Sequence, residues 1–279
     1  MRRRTLLLAC IAPLPGRAQG WTPTRPVRII VPLAPGGTAD TVARLIADPM
    51  AAGLGQPVIV ENRPGGTTAL AAQYVARAPA DGHTLLYAPP PVQILNPLMM
   101  RNLPYDAERD FAPVAALLRA PKLLVVRPDF PARDLPALLA EARARPGGLT
   151  YASSGIGSSA HLAGLMLAQM AGVELLHVPY RGTAPALQDL IGGRVDMILD
   201  ALAVSTAEPA AAMPELPPIA SVLPGYHDAS FNYLLAPART PPEAIARLNA
   251  AVNGALAQPA VRARFGALGA EPLGGTPEA

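Results

Sequence analysis

Short apolar runs that each break at a glycine- or hydroxyl-rich loop and then pass into a helical pattern recur along the chain. Residues 27–33 form the first run. Ala34-Pro35-Gly36-Gly37 follows, then a helical stretch from about Thr38 that carries Val42, Leu45, Ile46 and Met50 at i, i+3, i+4 spacing. Residues 58–60 predict a second strand, 68–77 a second helix after Asn62-Arg63-Pro64-Gly65-Gly66, and 84–88 a third strand ending at Pro89-Pro90-Pro91. The apolar segments 114–118 and 123–126 are joined without a helix. A helix over 135–145, stopped by Pro146-Gly147-Gly148, opens a second series. It contains strands at 149–152, 175–179 and 197–199 and helices at about 158–171 and 184–191, with a strand at 233–236 and a helix at 241–257 closing the pattern. Strands alternating with helices predict an α/β fold with parallel sheets covered on both faces. Two such series, joined by extended segments near 114–126 and 228–236, predict two lobes with a cleft between them.

Composition removes several classes of function. With 51% hydrophobic residues and a formal charge of +3, the chain is too apolar and too weakly charged to be disordered. No run of 18 apolar residues occurs, so no spanning helix is expected. Arg2, Arg3, Arg4 and Arg17 supply the whole positive excess, and the remainder carries no basic stripe suited to nucleic acid.

Residues 1–20 have the order of an export signal: a basic start at 1–4, a Leu- and Ala-rich stretch at 5–13, then Gly16, Ala18 and Gly20. A buried first helix would be stopped by Pro13, Pro15 and Gly16. Arg3-Arg4-Thr5-Leu6-Leu7 looks like a twin-arginine signal, so the route is either general secretory or twin-arginine. Leu7-Leu8-Ala9-Cys10 weakly resembles a lipoprotein box, but the apolar stretch before it is unusually short. Cys10 is the sole cysteine, so an exported chain cleaved after residue 18 or 20 has no disulfide and no thiolate site.

In open α/β sheets ligands sit beyond the carboxyl ends of the strands. Three loops there have the makings of an anion site. Pro35-Gly36-Gly37-Thr38-Ala39-Asp40 offers close backbone approach and a helix N-terminus. Ser153-Ser154-Gly155-Ile156-Gly157-Ser158-Ser159 adds hydroxyls, and Tyr180-Arg181-Gly182-Thr183-Ala184-Pro185 is a third strand-to-helix turn, while Asp200 closes a later strand. Each is equally readable as an ordinary turn with its helix cap. Burying a carboxylate costs several kcal/mol unless donors replace its water. A hydrogen bond to a charged group contributes roughly 1.5–3 kcal/mol and a helix terminus about 0.3–1 more, so four or five donors suffice for micromolar binding without a salt bridge from Arg181.

Catalytic patterns are missing. There is no G-x-S-x-G elbow and no phosphate-binding G-x-x-x-x-G-K-[ST]. His83, His161, His177 and His227 lack metal-ligand spacing, so neither a metal nor a cofactor is expected. Gly155-Ile156-Gly157-Ser158-Ser159-Ala160 does fit G-x-G-x-x-A after a strand, which keeps an exported dinucleotide-binding enzyme as a remote alternative. The next strand, however, ends in Tyr180-Arg181 rather than an acid.

Longer motifs recur in combination along the chain after residue 21. They are Pro26 through Pro32 with Pro35-Gly36-Gly37-Thr38-Ala39-Asp40, Leu54-Gly55-Gln56-Pro57-Val58, Glu61-Asn62-Arg63-Pro64-Gly65, Ala80-Asp81-Gly82-His83-Thr84, Asn102-Leu103-Pro104-Tyr105-Asp106 and Asp110-Phe111-Ala112-Pro113-Val114. Tyr151-Ala152-Ser153-Ser154-Gly155, His161-Leu162-Ala163-Gly164, His177-Val178-Pro179-Tyr180-Arg181-Gly182, residues 196–200, Leu234-Leu235-Ala236-Pro237 and Leu268-Gly269-Ala270-Glu271-Pro272 complete the set, which together resembles the Bug-type solute receptors of tripartite tricarboxylate transporters.

The resemblance implies a two-lobed periplasmic-binding-protein (Venus flytrap, type II) architecture with parallel or mixed sheets. It implies a signal peptide at 1–20, lobe I at 21–124 plus 236–279, and lobe II at 125–235, shortened after Asp200. It also implies a monomeric periplasmic receptor that binds a small carboxylate and delivers it to a permease with large and small subunits. Carried over by motif, the ligand-binding residues are Gly36, Gly37, Thr38, Asp40, Ser154, Ser158, Tyr180, Gly182, Thr183 and Asp200.

Three departures stand out. Pro89-Pro90-Pro91 replaces a polar loop, residues 197–204 lack the helix-containing insertion that follows Asp200 in the family, and the family pattern continues past Ala279 into a last helix. Those losses are expected to uncover apolar surface, and they motivate an alternative in which a degenerate receptor acts as a sensor or interaction module without transport.

Overall fold

In the computed structural model, residues 20–200, 218–226 and 229–277 are described. The expected signal segment, apart from Gly20, and the stretch after Asp200 where the family's insertion is read as missing therefore lie outside the described residues.

The first glycine break works as its composition requires. Strand β1 (Val27–Val31) is fully buried at Val27 and at residues 29–31, and its apolar run ends at Pro32. Gly36 takes φ 80°, Gly37 caps with extended backbone, and helix α1 (Thr38–Leu54) begins. Its buried stripe includes Val42, Ile46 and Met50, and Gly55 at φ 73° ends it by donating its N–H to the Ala51 carbonyl. Strand β2 (Val58–Asn62), helix α2 (Ala69–Ala76) and strand β3 (Thr84–Ala88) repeat the unit, and a short helix α3 (Asn96–Met99) follows.

Strand β4 (Phe111–Pro121) carries the chain to strand β5 (Leu123–Val126), with the chain's only lysine, Lys122, buried at the crossing. Helix α4 (Leu135–Ala144) is capped by the Asp134 carboxylate, which accepts from the Ala137 amide at 2.8 Å. Strand β6 (Leu149–Ser153), helix α5 (Ser159–Ala171), strand β7 (Leu175–Pro179), helix α6 (Thr183–Ile191) and strand β8 (Met197–Asp200) form the second series. Strand β9 (Ala229–Pro237), helices α7 (Pro242–Ala257) and α8 (Pro259–Ala267) and strand β10 (Glu271–Gly274) complete the chain.

Two mixed sheets result. The first has the order β10-β4-β9-β3-β1-β2, with β1 parallel to β2 and β3, and β9 antiparallel to both β3 and β4. The second has the order β5-β8-β6-β7, parallel except for β5 against β8. Each is covered on both faces. One face of the first sheet packs Val42, Ile46 and Met50 of α1 with Leu248, Val252 and Phe265 of the C-terminal helices, and the other packs α2. In the second sheet α4 and α5 cover one face and α6 the other.

Two differences from the sequence pattern have clear causes. The expected lobe boundary at 235/236 falls inside β9, which pairs with β4 from Pro121↔Ala229 to Phe111↔Pro237 and so lies wholly in the first sheet. Only the apolar middle of that strand, 233–236, was legible. Helix α8 and strand β10 carry too little amphipathic signal to be read, since α8 buries only Val261 and Phe265 and β10 is an edge strand.

Candidate functional site

Strands β1, β2, β6 and β7 each end at a loop that opens a helix, and all four loops line one cavity of about 510 Å³. The first sheet contributes residues 32–34 with 37–39 and residues 64–68, and the second contributes residues of the 154–159 and 179–183 loops. Helices α1, α2, α5 and α6 therefore present their N-terminal ends, with amides outside the intrahelical ladder and positive dipole ends, around the same space. Arg181 is the only charged side chain among the described lining residues. Such a site can hold a small anion with neutral donors.

Of the residues singled out from sequence, Gly37, Thr38, Ser154, Ser158, Tyr180, Gly182 and Thr183 line this cavity. Ser158 also serves as the α5 cap, its hydroxyl accepting from the His161 amide at 3.2 Å, so its own O–H stays available to donate. Tyr180 is held by its hydroxyl, which donates to Asp189 at 2.7 Å, and burial together with that partner pushes its pKa up to about 12.

Asp40 and Gly36 are placed differently. Asp40 is 5% exposed and does not line the cavity; its carboxylate accepts from the Gly36 amide at 3.0 Å and from Arg44 Nε at 3.0 Å. Burial works to raise its pKa, but Arg44, the Gly36 amide and Asn62 outweigh that and hold it below the usual carboxylate range. Arg44 continues to Asn62, whose amide donates to the Leu33 carbonyl at 3.1 Å. Asp40 is thus the clamp of the first loop, and the Gly36 amide is turned toward it. Asp200 ends β8, and its side chain lies outside what the structure describes.

The structure adds residues that sequence reasoning passed over. Gly65, Gly66, Thr67 and Thr68 form a fourth lining loop. Thr67 and Thr68 hold φ of 51° and 75°, left-handed conformations that cost a non-glycine residue of order 1–3 kcal/mol and that cluster at ligand sites. A signal existed, because Pro64-Gly65-Gly66-Thr67 repeats Pro35-Gly36-Gly37-Thr38. Ser230 and Asn232 of β9 also line the cavity.

Beneath the serine loop, His161 and His177 stack with ring centroids 4.0 Å apart. His161 Nδ1 accepts from the Gly157 amide at 3.1 Å, and His177 Nε2 lies 2.7 Å from the Ser153 hydroxyl, which donates to the Gly155 carbonyl. Burial keeps both imidazoles below their ordinary pKa, and His161 helps to bring His177 to about 4. Ser153 itself is fully buried, so this cluster shapes the loop from behind.

The two rims meet at small residues. Gly182 takes φ 134°, which only glycine adopts without strain, and a Cβ there would lie 3.5 Å from Ala34 Cβ across the cleft. Gly157 faces Thr67 in the same way, with 3.3 Å from its Cβ position to Thr67 Cγ2.

Comparison with known proteins agrees with this geometry. Residues 42–277 match the family model described as "Tripartite tricarboxylate transporter family receptor". A UPF0065 protein from the tcbD-tcbE intergenic region of Pseudomonas sp. (strain P51) is 41% identical over 273 residues, spanning 92% of this chain and 81% of that protein. Protein BugT of Bordetella pertussis is 33% identical over 273 residues, 92% of this chain and 84% of that one. Among solved structures, R. palustris Rpa4515 with adipate superposes at a TM-score of 0.88 with 39% identity, covering 92% of this chain and 91% of that one. MatC of Rhodopseudomonas palustris with bound malate gives 0.81 at 37% identity over 89% and 90%, and the periplasmic binding protein BugD gives 0.86 at 32% over 92% and 91%.

Proposed function

The chain belongs to the Bug-type receptors of the tripartite tricarboxylate transporter family, and on that premise we propose that it is a periplasmic receptor that captures a small carboxylate between its two sheets. The two sheets are the lobes of a clamshell, with chain crossings at Lys122 and ahead of Ala229. The receptor is monomeric, exported by the signal at residues 1–20, and hands its ligand to a permease with a large and a small subunit. It carries out no reaction.

One observation carries the reading: four helix-opening loops, two from each sheet, converge on a cavity whose described lining holds a single charged side chain. A carboxylate in that place is stabilised by amides, hydroxyls and helix dipoles, with the Gly37 to Thr38 and Gly182 to Thr183 turns as its nearest donors. Closure brings both sets of donors onto one ligand, which couples binding to the contact of the rims at Ala34 and Gly182. The relatives solved with adipate and with malate support the same chemistry.

The test is calorimetry and thermal shift on purified protein with di- and tricarboxylates, amino acids and aromatic acids. At least one acid is expected to bind with micromolar affinity and raise the melting temperature. No response across the panel from folded protein overturns the proposal. Permease genes encoding a large and a small subunit beside this gene are expected for the delivery role.

A further inference from the structure

Strand β9 runs against the usual rule for a half-buried strand. Over Ser230, Phe231 and Asn232 the polar residues point inward, 7% and 8% exposed, while Phe231 is 40% exposed. The inversion sits at a defined place. β3 pairs with β9 only as far as Ala88↔Tyr233, so beyond that point β9 keeps β4 as its partner and loses its neighbour on the other side. There Ser230 stands opposite Ala120 and Asn232 opposite Leu118, and all four line the cavity. Beside them Pro89 and Pro91 line the cavity without a backbone N–H to offer, next to Tyr87.

The only side-chain hydrogen bond of this pair runs from Asn232 Nδ2 to Ser230 Oγ at 3.4 Å, at the limit of the range. The Asn232 carbonyl oxygen and the Ser230 O–H have no partner among the described residues. Both side chains face the cavity, where a ligand can complete the hydrogen bonds that the protein leaves open.

We propose that Ser230 and Asn232 are specificity-determining residues, reading an oxygen-bearing polar group, such as a hydroxyl or second carboxyl, at the end of the ligand away from its anchoring carboxylate. This rests on the carboxylate reading given above. The carboxylate occupies the helix-opening loops, the ligand's carbon chain lies along Leu118, Ala120 and the prolines, and its far oxygen meets the β9 pair. A ligand with a plain alkyl end leaves that pair unpaired and binds more weakly.

The experiment is calorimetry with adipate, 6-hydroxyhexanoate and hexanoate, repeated with succinate, 4-hydroxybutyrate and butyrate. In at least one series a polar-ended acid is expected to bind at least about tenfold more tightly than its alkyl counterpart, the worth of one hydrogen bond. In the S230A/N232L double variant the ratio is expected to fall to within about threefold while the alkyl acid keeps its affinity. S230A alone tests the same point with no change of bulk should the double variant fail to fold, and is expected to reduce the ratio in part. Alkyl acids that bind as tightly as their polar counterparts, or folded variants that keep the full ratio, overturn this inference and leave the carboxylate reading standing. If no acid binds at all, both fall.

Discussion

The amide of Gly36 donates to the carboxylate of Asp40 at 3.0 Å, so an acid at the start of α1 closes back on the loop that precedes it. The sequence motif placed Asp40 among the ligand-binding residues, and in the structure it lies behind the cavity lining. A carboxylate facing an anionic ligand would repel it, whereas this one is neutralised by Arg44 and turned to the Gly36 amide, which ties the loop to the start of α1. Asp40→Ala is expected to destabilise the protein by about 1.5–3 kcal/mol, the range for hydrogen bonds to a charged group, and to weaken binding of whichever acid responds in the screen at least tenfold. Asp40→Asn, which keeps an acceptor but not the charge, is expected to fall between. Urea unfolding and calorimetry on the same preparations check both numbers, and wild-type affinity in Asp40→Ala would show that the loop needs no clamp.

The contrast between Asp40 and Gly37 shows what was readable. The order strand, glycine break, helix was plain because Val27 to Val31 is an uninterrupted apolar run and Gly36 is a residue that takes φ 80° without strain. The partner of the Asp40 carboxylate was not readable, since an acid in a first turn can face solvent, ligand or its own loop equally well, and only the Arg44 to Asn62 link decides. Ser230 and Asn232 were hidden for a different reason. Alternating polar and apolar residues indicate a two-faced strand but not which face is inside, and that depends on where β3 stops beside it.

The glycines of the rim separate by backbone angle. Gly37 has extended backbone and a Cβ there would sit 3.7 Å from the Ala34 carbonyl oxygen, an ordinary contact, so Gly37→Ala is expected to fold normally and bind within a few-fold of wild type. Gly37→Val puts a branched group at the cavity lining and is expected to abolish binding through bulk. Gly182→Ala meets both φ 134° and Ala34 across the cleft, and is expected to cost of order 1–3 kcal/mol and weaken acid binding more than Gly37→Ala does. Melting curves and calorimetry rank the three. The reverse order for the two alanine variants would remove the rim contact from the binding mechanism.

Asp196 is expected to be a costly acid to remove. It is 9% exposed and accepts from the Thr150 amide and hydroxyl, both at 2.9 Å, from Arg145 at 3.0 Å and from Arg127 Nε at 3.3 Å. These bonds tie the start of β6 to the segments next to β5 and β8. Asp196→Ala leaves the Thr150 amide and Arg127 Nε without their acceptor, although Arg127 keeps its ion pair with Asp129, and about 1.5–3 kcal/mol of stability is expected to be lost. Denaturant midpoints measure it. A loss below about 1 kcal/mol would mean that solvent replaces the carboxylate freely.

Acid should loosen the serine loop before it touches the carboxylates. His161 and His177 both have folded-state pKa values below the ordinary 6.5, His177 near 4, so the folded protein favours the neutral rings. Above about pH 6.5 neither state takes up protons at these sites, and their contribution to stability is complete. As the pH falls from there toward 4, the unfolded chain binds protons that the folded chain refuses, and stability declines. Asp40 and Asp196 have pKa values lowered from 3.8, so they act only below that window. Protonating His161 Nδ1 also removes the acceptor of the Gly157 amide, which links the decline to the loop that lines the cavity. Urea midpoints are expected to drop steadily from about pH 6.5 toward 4.5, with acid affinity falling alongside, and the His161→Gln/His177→Gln double variant is expected to show a flatter profile over the same range. Parallel slopes for wild type and variant would show that the stacked pair does not govern the acid response.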